Sequence, residues 1–431
     1  MTVYFHTLGC KVNQYETQAM RRLLEEAGYA TAEFSAGFAG AEDGVMVINS
    51  CTVTGESDRK LRQLLHRCRR DNPRAAIALV GCMPQAFPDR AAALEADILL
   101  GNARRRDLPA RIREYLTTRQ RIVDIPPSPT VYEPLSIREF QGRTRAFVKI
   151  EDGCNRFCSY CAIPYARGRV RSRDLTDLKR EVEDLAAAGY REVVLTGINL
   201  TSFGRDTGAT LAQAVAAACS VEGICRVRLG SLEPDHMTPE LLEELAAQEK
   251  LCPQFHVALQ SGCDATLKRM RRHYTAAEFA ALCDSLRARF PGCAITTDIM
   301  VGFPGETEEE FEASRSFAER IGFASAHVFA YSRRPGTPAA DAPDQVSAAE
   351  KADRARRMAE TCAAGRAAYE EGQMGTLTTL LLETSQPGGM MEGHTPHYLT
   401  VRVKTDKASG DLIRVRLTGR TKDWCLAEEA E

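Results

Sequence analysis

The sequence predicts an α/β protein in three parts: an amino-terminal open parallel α/β domain over residues 1–120, a partial (β/α)6 barrel over residues 140–365, and a small carboxyl-terminal β-barrel over residues 370–431. Three observations carry that prediction. Short apolar runs alternate with helical periodicity in two separate blocks, the pattern of parallel strands joined by crossover helices. A proline-dense stretch, IPPSPTVYEP over 125–134, divides the blocks and suits a semi-rigid connector. From Gly375 onward the helical pattern gives way to short β runs separated by turn residues.

Composition narrows the class. The chain has 431 residues, 44% apolar and 26% charged, ordinary values for a globular protein. Its start, MTVYFHTLGCKVNQYE, has no basic segment leading into an apolar one, and nowhere does a run of about eighteen apolar residues occur. A membrane span is therefore not expected, and a cytoplasmic location is. Fifteen cysteines in such a chain point to metal sites or buried thiols in a reducing compartment, not to a disulfide framework. The formal net charge of −2 does not mark a nucleic-acid binder, so any such role rests on local patches.

In the first block, Val3–Thr7, Val45–Asn49 and Ala75–Val80 read as buried strands, with helices over Gln14–Ala27 and Glu56–Arg70. Each strand ends in a small residue followed by a cysteine: Gly9-Cys10, Ser50-Cys51 and Gly81-Cys82. In an open α/β sheet the carboxyl ends of the strands line the ligand crevice, so Cys10, Cys51 and Cys82 are expected at one edge. A single such cysteine reads as an inert buried thiol. Three with the same local grammar favour a three-thiolate iron–sulfur site. The helix after Cys51 carries Arg59, Lys60, Arg62, Arg67, Arg69 and Arg70, and Arg104-Arg105-Arg106 follows. These form either a solvated basic face or a phosphate-contacting one.

The second block holds the stretch that organises the chain, Gly153-Cys154-Asn155-Arg156-Phe157-Cys158-Ser159-Tyr160-Cys161, directly after the strand Ala146–Ile150. Three cysteines spaced by three and then two residues can aim three thiolates at one object. A cubane of four irons has four corners, so three protein ligands leave one iron open. A structural zinc site would want a fourth ligand, usually from a repeated C-x2-C pair. The spacing, with aromatic Tyr160 before the third cysteine, closely resembles the signature of the radical S-adenosylmethionine (SAM) enzymes. The resemblance implies a six-unit partial barrel, which matches the further strands Glu192–Thr196, Arg226–Leu229, Phe255–Leu259, Ala294–Met300 and Ala326–Ala330. Helices are expected between them at Leu175–Ala188, Pro239–Gln248, Ala276–Arg289 and Glu308–Ile321.

Barrel chemistry gathers at the carboxyl ends of the strands. The residues expected to bind SAM there are Tyr160, Gly197, Ser231, Glu233, Gln260 and Asp298, each with turn chemistry or capping as its plainer alternative. Arg167, Arg169, Arg171 and Arg173 alternate just after the cysteine loop and would share one face of an extended segment. That row is expected to meet the RNA backbone, with ion pairing to Glu181 or Glu183 as the alternative. The other cysteines, Cys68, Cys219, Cys225, Cys252, Cys263, Cys283, Cys293, Cys362 and Cys425, share no pattern and read as plain thiols.

A long charged helix over Ala348–Glu371 leads into the last part, with strands expected at Thr376–Leu382, Tyr398–Lys404, Leu412–Leu417 and Trp424–Ala427. About sixty residues of this kind suit a small RNA-binding barrel. The segment EGHTPHYLTVRV resembles the TRAM RNA-binding module, while TLGCKVNQYE, VINSCTVTGESDRK and LVGCMPQ resemble the amino-terminal domain of the methylthiotransferases. Taken with CNRFCSYCAIPYARG and MRRHYT, the whole chain resembles the radical SAM methylthiotransferases, most of all the branch acting on N6-threonylcarbamoyladenosine at position 37 of tRNA. The resemblance implies two 4Fe–4S clusters, at Cys154, Cys158 and Cys161 and at Cys10, Cys51 and Cys82, with SAM as cofactor. It also implies the tRNA anticodon loop as substrate and an electron donor such as flavodoxin or ferredoxin. Alternatives are a methylthiotransferase acting on isopentenyladenosine in tRNA or on a ribosomal-protein aspartate, and an iron–sulfur RNA-binding protein without catalysis.

Overall fold

The computed structural model describes residues 1–34, 44–52 and 54–430. In the first part lie strands β1 (Thr2–Thr7), β2 (Ala30–Glu33), β3 (Val45–Ser50), β4 (Ala76–Gly81), β5 (Ile98–Leu100) and β6 (Ile122–Asp124). They form one parallel sheet in the order β2-β1-β3-β4-β5-β6. β3 and β4 are buried along their whole length, which is why each reads as a near-continuous apolar run. Helix α1 (Lys11–Glu26) follows β1, and α2 (Gly55–Asp71) follows β3, capped by Thr54, whose side chain accepts from the Ser57 backbone N–H. The three expected strands are present. The sequence did not announce β2, β5 and β6, of four, three and three residues, because so few residues display no period. β6 also carries the sheet to Asp124, past the expected boundary at residue 120.

The second part is an open array of six parallel strands in chain order: Arg145–Lys149, Glu192–Thr196, Arg226–Leu229 continuing as Ser231–Leu232, Gln254–Val257, Ala294–Val301 and Ser325–Ala330. The third strand breaks at Gly230. Its first half pairs with Glu192–Thr196 and its second with Gln254–Val257, so the break turns the sheet and starts the barrel's curvature. Capping boxes at Thr210, Thr275, Thr307 and Ser347 start the helices packed outside.

Helix α1 serves both parts. Its Met20 and Leu24 join Val3 and Phe5 in the core of the first sheet, while Tyr15 and Ala19 belong to the barrel core. The third part is a closed five-stranded barrel of Leu377–Gln386, Met390–His394, Thr400–Lys404, Leu412–Arg420 and Cys425–Glu429, reached through the helix Ala348–Gly372. It docks on the amino ends of the large-barrel strands. Arg145 pairs with Glu383 at 3.1 Å, Arg226 donates to the His394 carbonyl at 2.9 Å, and Arg228 to the Pro396 carbonyl at 2.8 Å. The stretch His394–Tyr398, from the segment that resembles an RNA-binding module, is thus engaged inside the molecule. Among the described residues no helix is long and apolar enough to cross a membrane.

Candidate functional site

Register brings the three strand-end cysteines together. Thr7 is level with Asn49, Asn49 with Val80, and Ser50 with Gly81, so β1, β3 and β4 end side by side. The Asn13 amide clamps two of these ends, donating to the Leu8 carbonyl at 3.2 Å and the Ser50 carbonyl at 2.9 Å. A Cβ on Gly9 would stand 2.7 Å from the Cys51 Cβ, which places the Cys10 turn directly on Cys51. Gly81, at φ +101°, lets the chain pass Asn49 and Ser50 before Cys82 opens the next helix. Burial pushes the Cys82 thiol pKa up, and Cys10 pushes the same way against the Arg167 guanidinium. Cys51 and Cys82 are buried, Cys10 is exposed, and no disulfide joins any described cysteines.

The second set lies in one loop. Gly153, at φ +87°, brings the chain so close to the Arg169 carbonyl that a Cβ would collide with it, and Cys154 N–H donates to the Gly168 carbonyl at 3.0 Å. Burial raises the thiol of Cys154 to about 11 and that of Cys161 to about 12, and in both the Cys158 sulfur adds to the shift. The three sulfurs therefore feel one another. Among the described residues no three His, Cys, Asp or Glu side chains are grouped to hold a single metal ion. Three thiols near enough to couple suit a multi-iron cluster that takes one thiolate at each corner. A bound cluster deprotonates such thiols outright.

Donors surround these sulfurs. Asn199 Nδ2 lies 3.8 Å from Cys154 Sγ and Arg272 Nη1 lies 3.4 Å from Cys158 Sγ, while Asn102 Nδ2 lies 3.9 Å from Cys82 Sγ in the strand-end set. N–H groups aimed at sulfur stabilise thiolate and tune a cluster. Sequence reasoning gave Asn102, Asn199 and Arg272 no contact with a cysteine, because nothing in their spacing points at one, although Asn199 stands in a strand-end segment read as part of the SAM site and Arg272 in the MRRHYT stretch.

A buried ion network joins the two sets. Glu16, on the helix that Cys10 caps, pairs with Arg105, Lys149 and Arg167 at 3.0, 3.0 and 2.8 Å. Asp152, two residues before Cys154, pairs with Lys149, Arg167 and Arg171 at 3.3, 3.0 and 3.3 Å. This corrects the arginine row. Arg167, Arg171 and Arg173 are 0%, 2% and 5% exposed, and Arg173 is paired with Glu181, so none of the three is open to a phosphate backbone. The segment packs between the two domains instead of lying on the surface. Only Arg169 of the four is exposed, its guanidinium 4.5 Å from the centre of the Phe157 ring.

The residues expected to bind SAM divide. Gly197, Ser231 and Asp298 line a cavity of about 500 Å3 inside the barrel, together with Cys10, Lys11, His256, His327 and Tyr398. Burial opposes ionisation of Asp298, but hydrogen bonds from His256 and His327 outweigh it and hold the carboxyl well below its usual range. Tyr160 packs edge-on against Phe303, and Glu233 is taken by Arg272. Gln260 sits at φ +65° beside Asp298, and its Oε1, like Glu151 Oε1, is buried without a hydrogen-bond partner. Two unmet buried acceptors near the carboxyl ends of the strands fit a ligand that brings its own donors, as the amino group of SAM does.

The Radical SAM superfamily profile matches residues 148–318, and the profile described as "Uncharacterized protein family UPF0004" matches residues 2–101. The chain is 39% identical to the threonylcarbamoyladenosine tRNA methylthiotransferase of Bacillus subtilis (strain 168), over 96% of this chain and 93% of that protein. With the protein of the same description from Thermotoga maritima it shares 37% identity over 100% of this chain and 97% of the relative. A tRNA-2-methylthio-N(6)-dimethylallyladenosine synthase of Moorella thermoacetica is 36% identical over 98% of this chain and 97% of that protein. Among solved structures, the radical SAM methyltransferase TsrM of Kitasatospora setae, with tryptophan and a SAM analogue bound, aligns at a TM-score of 0.57 and 16% identity, over 79% of this chain and 75% of that one. That likeness is one of fold.

Proposed function

The chain belongs to the radical SAM tRNA methylthiotransferases, and on that premise we propose that it converts the C2–H of N6-threonylcarbamoyladenosine at position 37 of tRNA into C2–S–CH3. A 4Fe–4S cluster with SAM supplies, when bound, the one-electron chemistry that an unreactive purine C–H demands. Cys154, Cys158 and Cys161 would hold that cluster with one iron left for the amino and carboxylate groups of SAM. Cys10, Cys51 and Cys82 would hold a second 4Fe–4S cluster carrying the sulfur, and a second SAM would provide the methyl group. Gly197, Ser231, Gln260 and Asp298 are the proposed neighbours of the bound ligands. Tyr160, packed against Phe303, and Glu233, paired with Arg272, are proposed as neighbours of bound SAM as well. The anticodon loop would enter above the cavity that Cys10 shares with the barrel strands, and an acidic donor such as flavodoxin or ferredoxin would supply electrons.

One observation carries this reading: two sets of three thiols, each one ligand short of a cubane, lie on elements tied by the Glu16 and Asp152 ion network. Anaerobically reconstituted protein should bind about eight irons on that logic, and tRNA nucleosides from cells lacking the protein should lose 2-methylthio-N6-threonylcarbamoyladenosine by mass spectrometry. Loss of the methylthio derivative of isopentenyladenosine alone would reassign the substrate. Fully loaded protein with about four irons would remove the second cluster.

A further inference from the structure

The cavity inside the barrel is lined by one carboxylate, Asp298, and one ammonium, Lys11, which do not pair with each other. Asp298, the carboxylate in its lining, is held by His256 at 3.2 Å and His327 at 3.3 Å. Arg145 and Arg228 flank Tyr398 at its floor, but each has its own acid, Glu383 for the first and Glu192 for the second. Lys11 lines the same cavity and forms no ion pair or hydrogen bond with any described residue. The Phe147 ring lies 5.9 Å from its ammonium, too weak a partner to balance a charge drawn away from bulk water, and the nearby Arg145 and Arg228 repel it. A half-buried cation with no acidic partner among the described residues, facing a cavity, is arranged for an anion that arrives with a ligand.

We infer that Lys11 is a specificity-determining residue that pairs with the carboxylate of the threonylcarbamoyl group, drawing that substituent into the barrel cavity. The inference rests on the substrate reading above and deepens it. A cavity of about 500 Å3 is of the size that takes a small-molecule group. Its wall also offers Thr296 and Ser325, hydroxyls suited to the urea and the threonine hydroxyl. Lys11 directly follows Cys10, so a group anchored by Lys11 is held beside the strand-end thiols, where the sulfur is proposed to be delivered. A backbone phosphate offers the same charge, but a phosphodiester chain tracks a surface, whereas this site is inside the barrel.

Two protein variants and three RNAs separate the cases. Reconstituted full-length protein, wild type, Lys11→Gln and Lys11→Arg, is titrated by fluorescence anisotropy with anticodon stem-loops. These carry N6-threonylcarbamoyladenosine, its methyl ester or unmodified adenosine at position 37. Wild type should prefer the free acid over the ester by about ten- to a hundredfold, the range of a charge-assisted hydrogen bond. Lys11→Gln should bind acid and ester alike, with its affinity for unmodified adenosine unchanged, and Lys11→Arg should recover part of the preference. Retained acid preference in Lys11→Gln overturns the inference. Equal weakening on all three RNAs also overturns it, assigning Lys11 to a phosphate. If wild type produces only methylthio-isopentenyladenosine, the substrate reading itself has failed. If it produces the threonylcarbamoyl product without distinguishing acid from ester, the substrate reading stands and Lys11 alone is wrong.

Discussion

The two thiol sets reach the same chemistry by opposite routes. Cys154, Cys158 and Cys161 lie in one loop, pinned at Gly153 and at the Cys154–Gly168 hydrogen bond. Cys10, Cys51 and Cys82 each end a different strand and meet only when β1, β3 and β4 are in register. The loop set needs little beyond its own backbone, whereas the strand-end set needs a folded sheet, because long-range pairings must close before those sulfurs meet. The sheet therefore acts as a condition on the second site, and the sharpest test of the contrast is to damage one set and read the other.

The largest effect is expected from the cysteines themselves. Cys158→Ala should reduce SAM cleavage to 5′-deoxyadenosine to background under dithionite. Cys51→Ala should leave that cleavage within about threefold of wild type, since Cys51 belongs to the strand-end set while Cys154, Cys158 and Cys161 are carried by their own loop. Only methylthio product should disappear. Chromatography of both products from the same reaction decides it, and loss of cleavage in Cys51→Ala would break the division.

Next come the two glycines. A Cβ on Gly81 would stand 2.5 Å from Asn49 Oδ1 and 2.8 Å from the Ser50 carbonyl, at a φ of +101°. Gly81→Ala should cost about 1–3 kcal/mol from the backbone alone and lose the strand-end iron while keeping the loop iron. Gly153→Ala, blocked by the Arg169 carbonyl, should do the reverse. Iron content near half of wild type in each, with SAM cleavage surviving only in the Gly81 variant, is the expected pattern.

The same contrast explains what the residues alone disclosed. Spacing made Cys154, Cys158 and Cys161 legible because a local loop writes its geometry into consecutive positions. The strand-end set was legible only through a repeated grammar of small residue then cysteine. Nothing of that kind marks Asn102, Asn199 or Arg272, which reach their sulfurs from distant elements. The arginine row misled because period-two spacing tells which residues share a face, not whether that face meets water. Arg167 and Arg171 instead meet Asp152, with Glu16 completing the pairing of Arg167, acids whose side chains are 6% and 0% exposed. The order of the six barrel strands was readable from alternation, but the break at Gly230 that lets the third strand serve two neighbours was not.

Glu16 tests whether the two sets are mechanically joined. Burial opposes its ionisation, but Arg105, Arg167 and Lys149 outweigh it and lower its carboxyl to about 2. Glu16→Gln would leave those cations without their shared counter-charge and should cost about 3–5 kcal/mol, read by thermal unfolding of the cluster-free chain. A depressed carboxylate stabilises the fold above its unfolded value of about 4.3 and loses that contribution as pH falls toward the folded value. Wild-type stability should therefore drain between about pH 4.5 and 2, and Glu16→Gln should be flatter there. Equal acid profiles would detach Glu16 from the interface.

The smallest effect separates the sets at the level of single N–H···S contacts. Asn199→Ala removes the donor 3.8 Å from Cys154, and Asn102→Ala removes the one 3.9 Å from Cys82. Outer-sphere partners are commonly worth about ten- to a hundredfold in metal affinity, and contacts this long belong at or below the low end, about 1 kcal/mol. Asn102 has a second task, since its amide also donates to the Ala166 carbonyl at 2.6 Å and so ties the strand-end site to the cysteine loop. Asn199→Ala should therefore speed chelator-driven loss of loop iron only, whereas Asn102→Ala should speed loss of strand-end iron and, more weakly, of loop iron. Chelation followed by visible absorbance in backgrounds that keep only one set resolves the two rates. If both substitutions act on both sets equally, the difference between a site written in a loop and a site written in a sheet does not extend to its outer contacts.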